Sequence, residues 1–288
     1  MDGRDKFTLG PAIGRTRVPG HANEIRITLM DLGISGRKAI VCASSRGLGY
    51  GCALALAQAG CEVVINGRDE NRVKQAAGEI ANATGVKIIP VAADVATAGG
   101  QKALFAACPE PDILVNNNAG PPFRDFRELT RQQILDGVIA NMVVAIELIQ
   151  KAIDPMVAKK FGRIVNITSG TVKAPLAGLD LSSGARAGLT AFLAGVARSV
   201  AASNVTINFI LPGTFDTDRL ASNIESNAKK QNISVEAARA QRMSGVPAKR
   251  FGTREEFGAA CAFLCSAQAG YITGQNLLID GGVFPGAF

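Results

Sequence analysis

The feature that most constrains the fold is a regular alternation between short apolar runs and longer Ala-rich stretches. The apolar runs lie at 38–42, 62–66, 87–92, 112–116, 163–168, 206–211 and 276–279. They are nearly all apolar and rich in β-branched residues, which is typical of strands buried on both faces of a sheet. The stretches with helical composition lie at about 47–59, 69–83, 97–107, 127–159, 182–202 and 253–266.

This order of segments predicts βαβ units, and right-handed crossovers then place helices on both faces of a parallel sheet. We therefore expect an α/β fold with a doubly wound, Rossmann-type parallel sheet of about seven strands, formed as a single domain by residues 36–288. Residues 1–35 have no periodic pattern and are predicted to be an irregular tail, in which Met30 is a candidate for the true start. The polar segment 214–250 is a candidate lid over the substrate.

Charge and rare residues exclude several classes of function. The net charge is +7, but no run of five basic residues occurs, so we expect no nucleic-acid partner and rather an anionic cofactor or substrate. The six cysteines form no CxxC pair and are expected to be reduced core residues. The single histidine, His21, rules out a His-based metal site or a Ser-His-Asp triad, so no metal is expected. The lack of a long apolar run or an N-terminal apolar segment predicts a cytoplasmic protein without membrane association.

A turn suited to phosphate binding follows the first apolar run. Its candidate cofactor-binding residues are Ala43, Ser44, Ser45, Arg46, Gly47, Leu48 and Gly49. Glycines in such a turn let the backbone approach a pyrophosphate, and the N-terminus of the next helix supplies free N–H groups and positive potential.

The end of the second run indicates which dinucleotide is bound. It ends at Asn66, where a carboxylate would be expected for NAD(H), and Arg68 follows shortly after. Arg46 and Arg68 suit a ribose 2′-phosphate, because guanidinium groups bind phosphate oxygens in a fork. NADP(H) is therefore preferred and NAD(H) remains possible, unless both arginines merely face solvent.

Further motifs stand after the later apolar runs. They are Asp94-Val95, Asn117-Asn118-Ala119-Gly120, Pro212-Gly213-Thr214 with Thr217, and Gly274-Gln275 with Asp280, Gly281 and Gly282 near the end. With the glycine turn, they make residues 36–282 resemble the short-chain dehydrogenase/reductases of the classical type, and within them the 3-oxoacyl carrier-protein reductases. The resemblance implies that the first motif holds the adenine. It also implies that the second lies against the cofactor ribose and that the third meets the nicotinamide carboxamide.

The same resemblance assigns catalytic residues and exposes a departure. Asn141 matches the family's asparagine that holds a water in a proton relay, and Ser169 matches the serine that binds the substrate oxygen. The family's Y-x-x-x-K motif should begin thirteen residues after that serine, but Ser182 and Arg186 stand at its two ends. The only tyrosines, Tyr50 and Tyr271, lie elsewhere in the chain.

The departure removes the family's general acid, and a positioned general acid contributes about 10²–10⁴ in rate. Three interpretations of this loss remain open. In the first, Asp180, or a water held by Ser169 and Ser182, protonates a carbonyl substrate while Arg186 binds the ribose. This role requires Asp180 to be buried, so that its protonated form is favoured. In the second, a protonated imine accepts hydride without any acid. In the third, the chain binds NADP(H) without turnover, as a sensor or inactive partner subunit.

The candidate lid also bears on the substrate and the assembly. Its basic residues are Arg219, Lys229, Lys230, Arg239, Arg242 and Lys249. This excess of positive charge suits a small-molecule substrate that is anionic, or an acyl thioester on a carrier protein. The resemblance further implies a homotetramer or a homodimer, with the Ala- and Gly-rich segment 185–202 at an interface.

Overall fold

A computed structural model describes residues 31–287, and in them a seven-stranded parallel sheet carries helices on both faces. The strands are β1 (Lys38–Val41), β2 (Glu62–Gly67), β3 (Ile88–Ala92), β4 (Ile113–Asn116), β5 (Gly162–Ile167), β6 (Val205–Pro212) and β7 (Asn276–Ile279). Their order in the sheet is β3-β2-β1-β4-β5-β6-β7. The predicted doubly wound α/β fold is confirmed. The strands are added in one direction from β1 to β3 and in the other from β4 to β7, and folds of this kind bind ligands at the point between β1 and β4.

Helices connect these strands, and those outside the candidate lid lie where the sequence predicts them. The helices are α1 (Gly47–Gln58), α2 (Glu70–Thr84), α3 (Ala98–Ala107), α4 (Arg131–Val138), α5 (Val144–Ala158), α6 (Asp180–Val200), α7 (Asp218–Gln231), α8 (Val235–Ser244) and α9 (Arg254–Cys265). The stretch predicted as one helix at 127–159 is interrupted by a π-helical turn at Ile139–Val143. Such turns often occur at functional sites, and this one contains Asn141.

The prediction that every strand is buried on both faces is wrong for β3 and β7. Side chains of β4 and β5 are all buried, whereas every residue of β3 and β7 is partly exposed or exposed. The reason is position, because β3 and β7 form the two edges of the sheet and have a neighbouring strand on one side only.

Two apolar clusters lie on opposite faces of the sheet and hold the helices in place. On one face α1 packs closely against α9, and glycines permit this approach. A Cβ at Gly51 would overlap the Arg254 carbonyl, and a Cβ at Gly258 would overlap the Gly51 carbonyl. This packing fixes the position of α1, whose N-terminus forms part of the site described below.

The segment 214–250 has a small apolar core of its own. Helices α7 and α8 enclose six buried residues of the surrounding segment, namely Leu220, Ile224, Ala228, Ala238, Val246 and Phe251. The candidate lid is therefore a packed helical hairpin rather than a loose loop.

Residues 31–35 form no helix or strand, yet they pack on the domain. Ile34 is fully buried, and the backbone carbonyl of Leu32 accepts a hydrogen bond from Ala267. The packed domain thus includes the end of the segment interpreted as a tail. The proposed start at Met30 and the position of His21 lie outside the described residues.

All six cysteines are buried and free, as the sequence predicts, and Cys261 and Cys265 lie on the buried side of α9. One helical run, Arg131–Ala158, is long and apolar enough to cross a membrane by length and composition alone. Within it, Leu148, Ala152 and Met156 are buried in the apolar cluster on one face of the sheet, as is typical of a core helix.

Candidate functional site

The turns that follow β1, β4, β5 and β6 meet at the carboxyl edge of the sheet. Asn117, after β4, donates a hydrogen bond to the Ala43 carbonyl after β1 at 3.2 Å. A Cβ built on Gly47 would lie 3.9 Å from the Thr217 methyl, and one on Gly170 would lie 3.4 Å from the Pro212 carbonyl oxygen. The sequence motifs separated by more than 170 residues therefore form one continuous surface.

The glycine turn after β1 leads into an open helix N-terminus. A Cβ at Gly49 would overlap the Ala43 carbonyl oxygen, so only glycine permits this close approach. Arg46 is the N-cap of α1, and no side chain caps the helix. The first backbone N–H groups of α1 are therefore available to an anion, and the helix dipole favours negative charge there.

Two residues predicted to bind the cofactor, Ser44 and Asn66, have side chains that stabilise the turn after β1. The Ser44 side chain is fully buried; it donates to the Val41 carbonyl and accepts from the Asn66 N–H. The Asn66 side chain accepts from the Ala43 N–H, while its amide group donates to Val91 and Ala93. Because these side chains are already hydrogen-bonded inside the protein, Ser44 and Asn66 could contact a cofactor only through their backbone or by shaping the turn.

Arg46 and Arg68 are both exposed, as a role in reading a phosphate requires. Ser45 lies beside them, since its hydroxyl is 2.8 Å from the position of a Cβ on Gly67. Arg46 forms an ion pair of 3.3 Å with Asp218 at the start of α7, a contact that sequence reasoning missed.

The pair Asp94-Val95 follows β3 on the opposite side of the same turn. One Asp94 carboxylate oxygen accepts from the Ala96 N–H at 2.9 Å. The Val95 side chain is buried in the core, which leaves only its backbone to face a ligand. A side-chain contact from Val95 to adenine is therefore excluded.

The loop after β4 is held by its own asparagine. The Asn118 amide group donates to the Ala140 carbonyl at 3.0 Å, and its oxygen accepts from the Ala119 N–H at 2.8 Å. Arg219 of α7 lies over this loop: one guanidinium nitrogen would be 2.9 Å from a Cβ on Gly120, and another donates to the Pro121 carbonyl at 3.3 Å.

Asn141 lies in the π-helical turn with only 6% of its surface exposed. Its amide nitrogen donates to the Gly137 carbonyl at 3.0 Å, and its oxygen Oδ1 has no donor among the described residues. A buried acceptor of this kind normally bonds to a group outside the chain, such as an ordered water. This geometry fits the water-holding role that the family resemblance implies.

Ser169 lies two residues after the end of β5, and Arg186 of α6 contacts the last residue of that strand. Ser169 Oγ accepts from the N–H and the hydroxyl of Thr171, at 3.1 and 2.9 Å. Arg186 donates from Nε to Ser182 Oγ at 3.3 Å and from Nη1 to the Ile167 carbonyl at 2.8 Å. The guanidinium therefore lies at the end of β5, two residues before Ser169 in the chain.

Burial perturbs the guanidinium of Arg186. Only 7% of the residue is exposed, and this burial, with a smaller contribution from the charge of Arg219, lowers its pKa to about 10. Arg186 nevertheless stays charged at neutral pH, so the site contains a permanent buried cation.

Asp180 does not meet the requirement for a general acid. It is exposed at the first position of α6, where its carboxylate accepts from the Gly178 N–H at 2.9 Å. The structure therefore does not meet the condition under which Asp180 could serve as the proton donor. Neither tyrosine replaces it: Tyr50 donates to Glu79 from α1, and Tyr271 is fully exposed.

The turn after β6 brings α7 to the site. The Gly213 N–H donates to the Ile279 carbonyl at 2.8 Å, and a Cβ at Gly213 would lie 2.5 Å from that of Asp280. The Thr214 carbonyl accepts from Gly252, and Thr217 caps α7 by accepting from the Leu220 N–H. In residues 31–287, no group of three His, Cys, Asp or Glu side chains could hold a metal ion.

Comparisons with known proteins concern the family and the fold. A family model described as enoyl-(acyl carrier protein) reductase matches residues 42–284. The NADPH-dependent reductase BacG of Bacillus subtilis (strain 168) is 33% identical over 254 residues, covering 86% of this chain and 98% of that protein. The 3-oxoacyl-[acyl-carrier-protein] reductase FabG of Aquifex aeolicus (strain VF5) is 32% identical over 259 residues, covering 88% and 100%. The crystal structure of L-sorbose reductase from Gluconobacter frateurii, complexed with NADPH and L-sorbose, has a TM-score of 0.84 at 28% identity, covering 89% and 100%.

Proposed function

The chain belongs to the short-chain dehydrogenase/reductase family, and from this membership we propose that it is an NADP(H)-dependent reductase that works without the family's tyrosine and lysine. The observation that carries the proposal is the meeting of an uncapped helix N-terminus, two exposed arginines and the Ser169–Arg186 region at one edge of the sheet. The helix N-terminus and the two arginines would bind the dinucleotide, and the Ser169–Arg186 region would bind the substrate.

The cofactor is NADP(H), in keeping with the NADPH-dependent relatives. The structure accommodates it: the cradle at Gly49 leaves no room for a side chain, and the first N–H groups of α1 are free to bind a pyrophosphate. Arg46 and Arg68 would hold the 2′-phosphate with Ser45 between them. Bound there, the cofactor supplies a hydride from C4 of its nicotinamide.

On the substrate side, Ser169 binds the reacting oxygen and Asn141 holds a water beside it. Ser182 and Arg186 occupy the positions of the family's tyrosine and lysine. A serine hydroxyl is too weak an acid, and arginine does not release its proton, so neither replaces the tyrosine as a general acid. The Arg186 guanidinium instead supplies charge and hydrogen bonds to the reacting centre.

The choice of substrate follows from that charge. We propose a carbonyl compound, of the 3-oxoacyl type or a related anionic molecule, held under α7 and α8. An iminium substrate is disfavoured, because it would place a third positive charge beside Arg186 and Arg219. An inactive NADP(H)-binding sensor is not favoured either, because relatives across the whole domain are reductases.

Assembly and location remain predictions. We propose a homotetramer, or else a homodimer, in the cytoplasm, with α6 at an interface. Light scattering during size-exclusion chromatography checks the assembly, and a monomer would contradict it.

Calorimetric titration with NADPH and NADH tests the cofactor assignment. We expect NADPH to bind the wild type more tightly, and Arg68→Ala and Arg46→Ala to weaken NADPH binding about tenfold or more while changing NADH binding little, since each removes a charge-assisted phosphate contact of about 1.5–3 kcal/mol. Lys102→Ala, which removes an exposed cation from α3, is the control. Equal losses for both dinucleotides, or no binding of either, would contradict the proposal.

A further inference from the structure

Arg219, the second residue of α7, lies over the loop that follows β4. One of its guanidinium nitrogens would be 2.9 Å from a Cβ on Gly120, and the other terminal nitrogen donates to the Pro121 carbonyl at 3.3 Å. The same loop is joined to the π-helical turn of the site by a hydrogen bond of 3.0 Å from Asn118. The Arg219 guanidinium therefore borders the proposed reaction site, although it comes from the candidate lid.

The acid next to Arg219 in the chain does not neutralise it. Asp218 forms its ion pair with Arg46, at 3.3 Å. Among residues 31–287, no carboxylate lies within ion-pair distance of Arg219, and its side chain donates only to the neutral carbonyl of Pro121. Arg219 is also exposed, so its charge is available to a ligand that enters from solvent.

A second cation lies in the same region. Arg186 is buried, and its Nη1 donates to the Ile167 carbonyl at the end of β5. Burial lowers the pKa of Arg186 most, and the charge of Arg219 is near enough to lower it further. Two neighbouring cations create a positive potential, and an anion bound between them relieves their repulsion.

We infer that Arg219 binds a carboxylate of the substrate, and that the substrate is a free 3-oxo acid rather than an ester or a carrier-bound thioester. This inference rests on the proposed function and specifies the substrate of the same site. Arg219 is then a specificity-determining residue, because it distinguishes a charged acid from its uncharged derivatives.

The length of a 3-oxo acid suits this arrangement of charges. Its carboxylate is separated by a single carbon from the carbonyl that Ser169 binds in the proposed function. The negative charge of the substrate therefore stays close to the reacting carbon, where Arg186 and Arg219 both act. A thioester is uncharged at that position, and the phosphate of a carrier arm lies many bonds away from the reacting carbonyl.

Binding of the product in a complex that cannot react tests the carboxylate site without turnover. The full chain is saturated with NADPH and titrated by calorimetry with 3-hydroxyhexanoate and with its methyl ester; NADPH does not reduce an alcohol. We expect the wild type to bind the acid at least about tenfold more tightly than the ester, since a charge-assisted hydrogen bond is roughly twice as strong as a neutral one. Equal binding of acid and ester by the wild type, or binding of neither, would overturn the inference.

Variants of α7 assign the effect to one side chain. Arg219→Met keeps the length of the side chain and removes its charge, so it should weaken binding of the acid by about 10- to 100-fold and leave binding of the ester unchanged. Arg219→Lys should keep part of the preference. Lys230→Met, which removes an exposed cation near the other end of the same helix, is the control and should change neither. An equal loss of acid and ester binding in Arg219→Met would contradict the inference.

Turnover separates this inference from the proposed function. We expect the wild type with NADPH to reduce 3-oxohexanoate with a kcat/KM at least about tenfold higher than for its methyl ester or its N-acetylcysteamine thioester. Arg219→Met should remove this preference mainly by raising KM for the acid, and added salt should lower kcat/KM for the acid alone. Faster reduction of the ester or thioester by the wild type would contradict the inference and leave the proposed function intact. Binding of 3-hydroxyhexanoate as expected, without reduction of any of the three compounds, would contradict the proposed function alone.

Discussion

The turn after β1 contains an alanine in a conformation that favours glycine, and this gives a prediction with a definite sign. Ala43 stands where the related family has a glycine, and its φ is +44°, in the left-handed region. For a residue with a Cβ this region costs about 1–2 kcal/mol. Ala43→Gly therefore removes strain at the centre of the proposed cofactor site.

Two losses oppose this gain. Glycine has more conformational freedom than alanine in the unfolded chain, which lowers the free energy of unfolding by about 0.4–1 kcal/mol. Removal of the half-buried Ala43 methyl group lowers it by about a further 0.4 kcal/mol. We therefore expect Ala43→Gly to change the free energy of unfolding by a small amount, between about neutral and 1 kcal/mol stabilising. The matched control is Ala81→Gly, at a similarly half-buried alanine inside α2, where the change costs about 1 kcal/mol in helix propensity alone.

Urea unfolding of both variants and the wild type checks this reasoning. The two variants should differ by about 1–2 kcal/mol, which corresponds to roughly 2–8 °C in Tm for a domain of this size. NADPH binding should be retained by Ala43→Gly, because the N–H groups at the start of α1 are unchanged. The account of strain would be refuted if Ala43→Gly destabilised the protein as much as Ala81→Gly does.

Three further predictions concern catalysis, capping and pH. Ser169→Ala should lower kcat by about 10²-fold or more, as for loss of one oxyanion donor, with an unchanged calorimetric Kd for NADPH; loss of cofactor affinity would instead indicate a structural role. Thr253→Ala removes the cap of α9 and should cost about 1 kcal/mol in urea unfolding, whereas Thr253→Ser should cost little. Arg250 lowers the pKa of Glu256 from 4.5 to about 2, so the stabilisation from this exposed pair is complete above pH 4.5 and is lost as the pH falls through about 2. Unfolding at low and neutral pH should show a weaker acid dependence for Glu256→Gln, and high salt should reduce the difference.

Most of the fold could be predicted because buried strands have a recognisable local composition. Continuous apolar runs locate every strand within one residue or so at each end, and their alternation with helices leaves one sheet topology. The edge position of β3 had one signal in the sequence, Pro90, which has no N–H to donate to a second neighbouring strand, although the other residues are as apolar as those of central strands. The π-helical turn that contains Asn141 could not be predicted, because the pattern of hydrophobic residues does not distinguish it from a continuous α-helix.

The site could be predicted only in part, because motifs locate residues but not their hydrogen bonds. Ser44 and Asn66 stand in the right motif, yet they bond to the turn itself, which only the folded arrangement of β1, β2 and β3 determines. Asp180 looked suitable by its spacing from Ser182, but a helix start near the surface leaves it in solvent. The contact of Arg46 with α7 joins segments 172 residues apart, beyond the reach of any local pattern.

Transfer of deuterium from NADPH tests the central claim most directly. The protein is incubated with NADPH deuterated at C4 and with unsaturated carbonyl compounds, ketones and cyclic imines, and the products are analysed by mass spectrometry. The account predicts one deuterium in the reduced product, at the carbon that carried the carbonyl oxygen, and its loss in Ser169→Ala. If NADPH binds tightly and the label never leaves it with any of these substrates, the chain is a dinucleotide-binding protein and not a reductase.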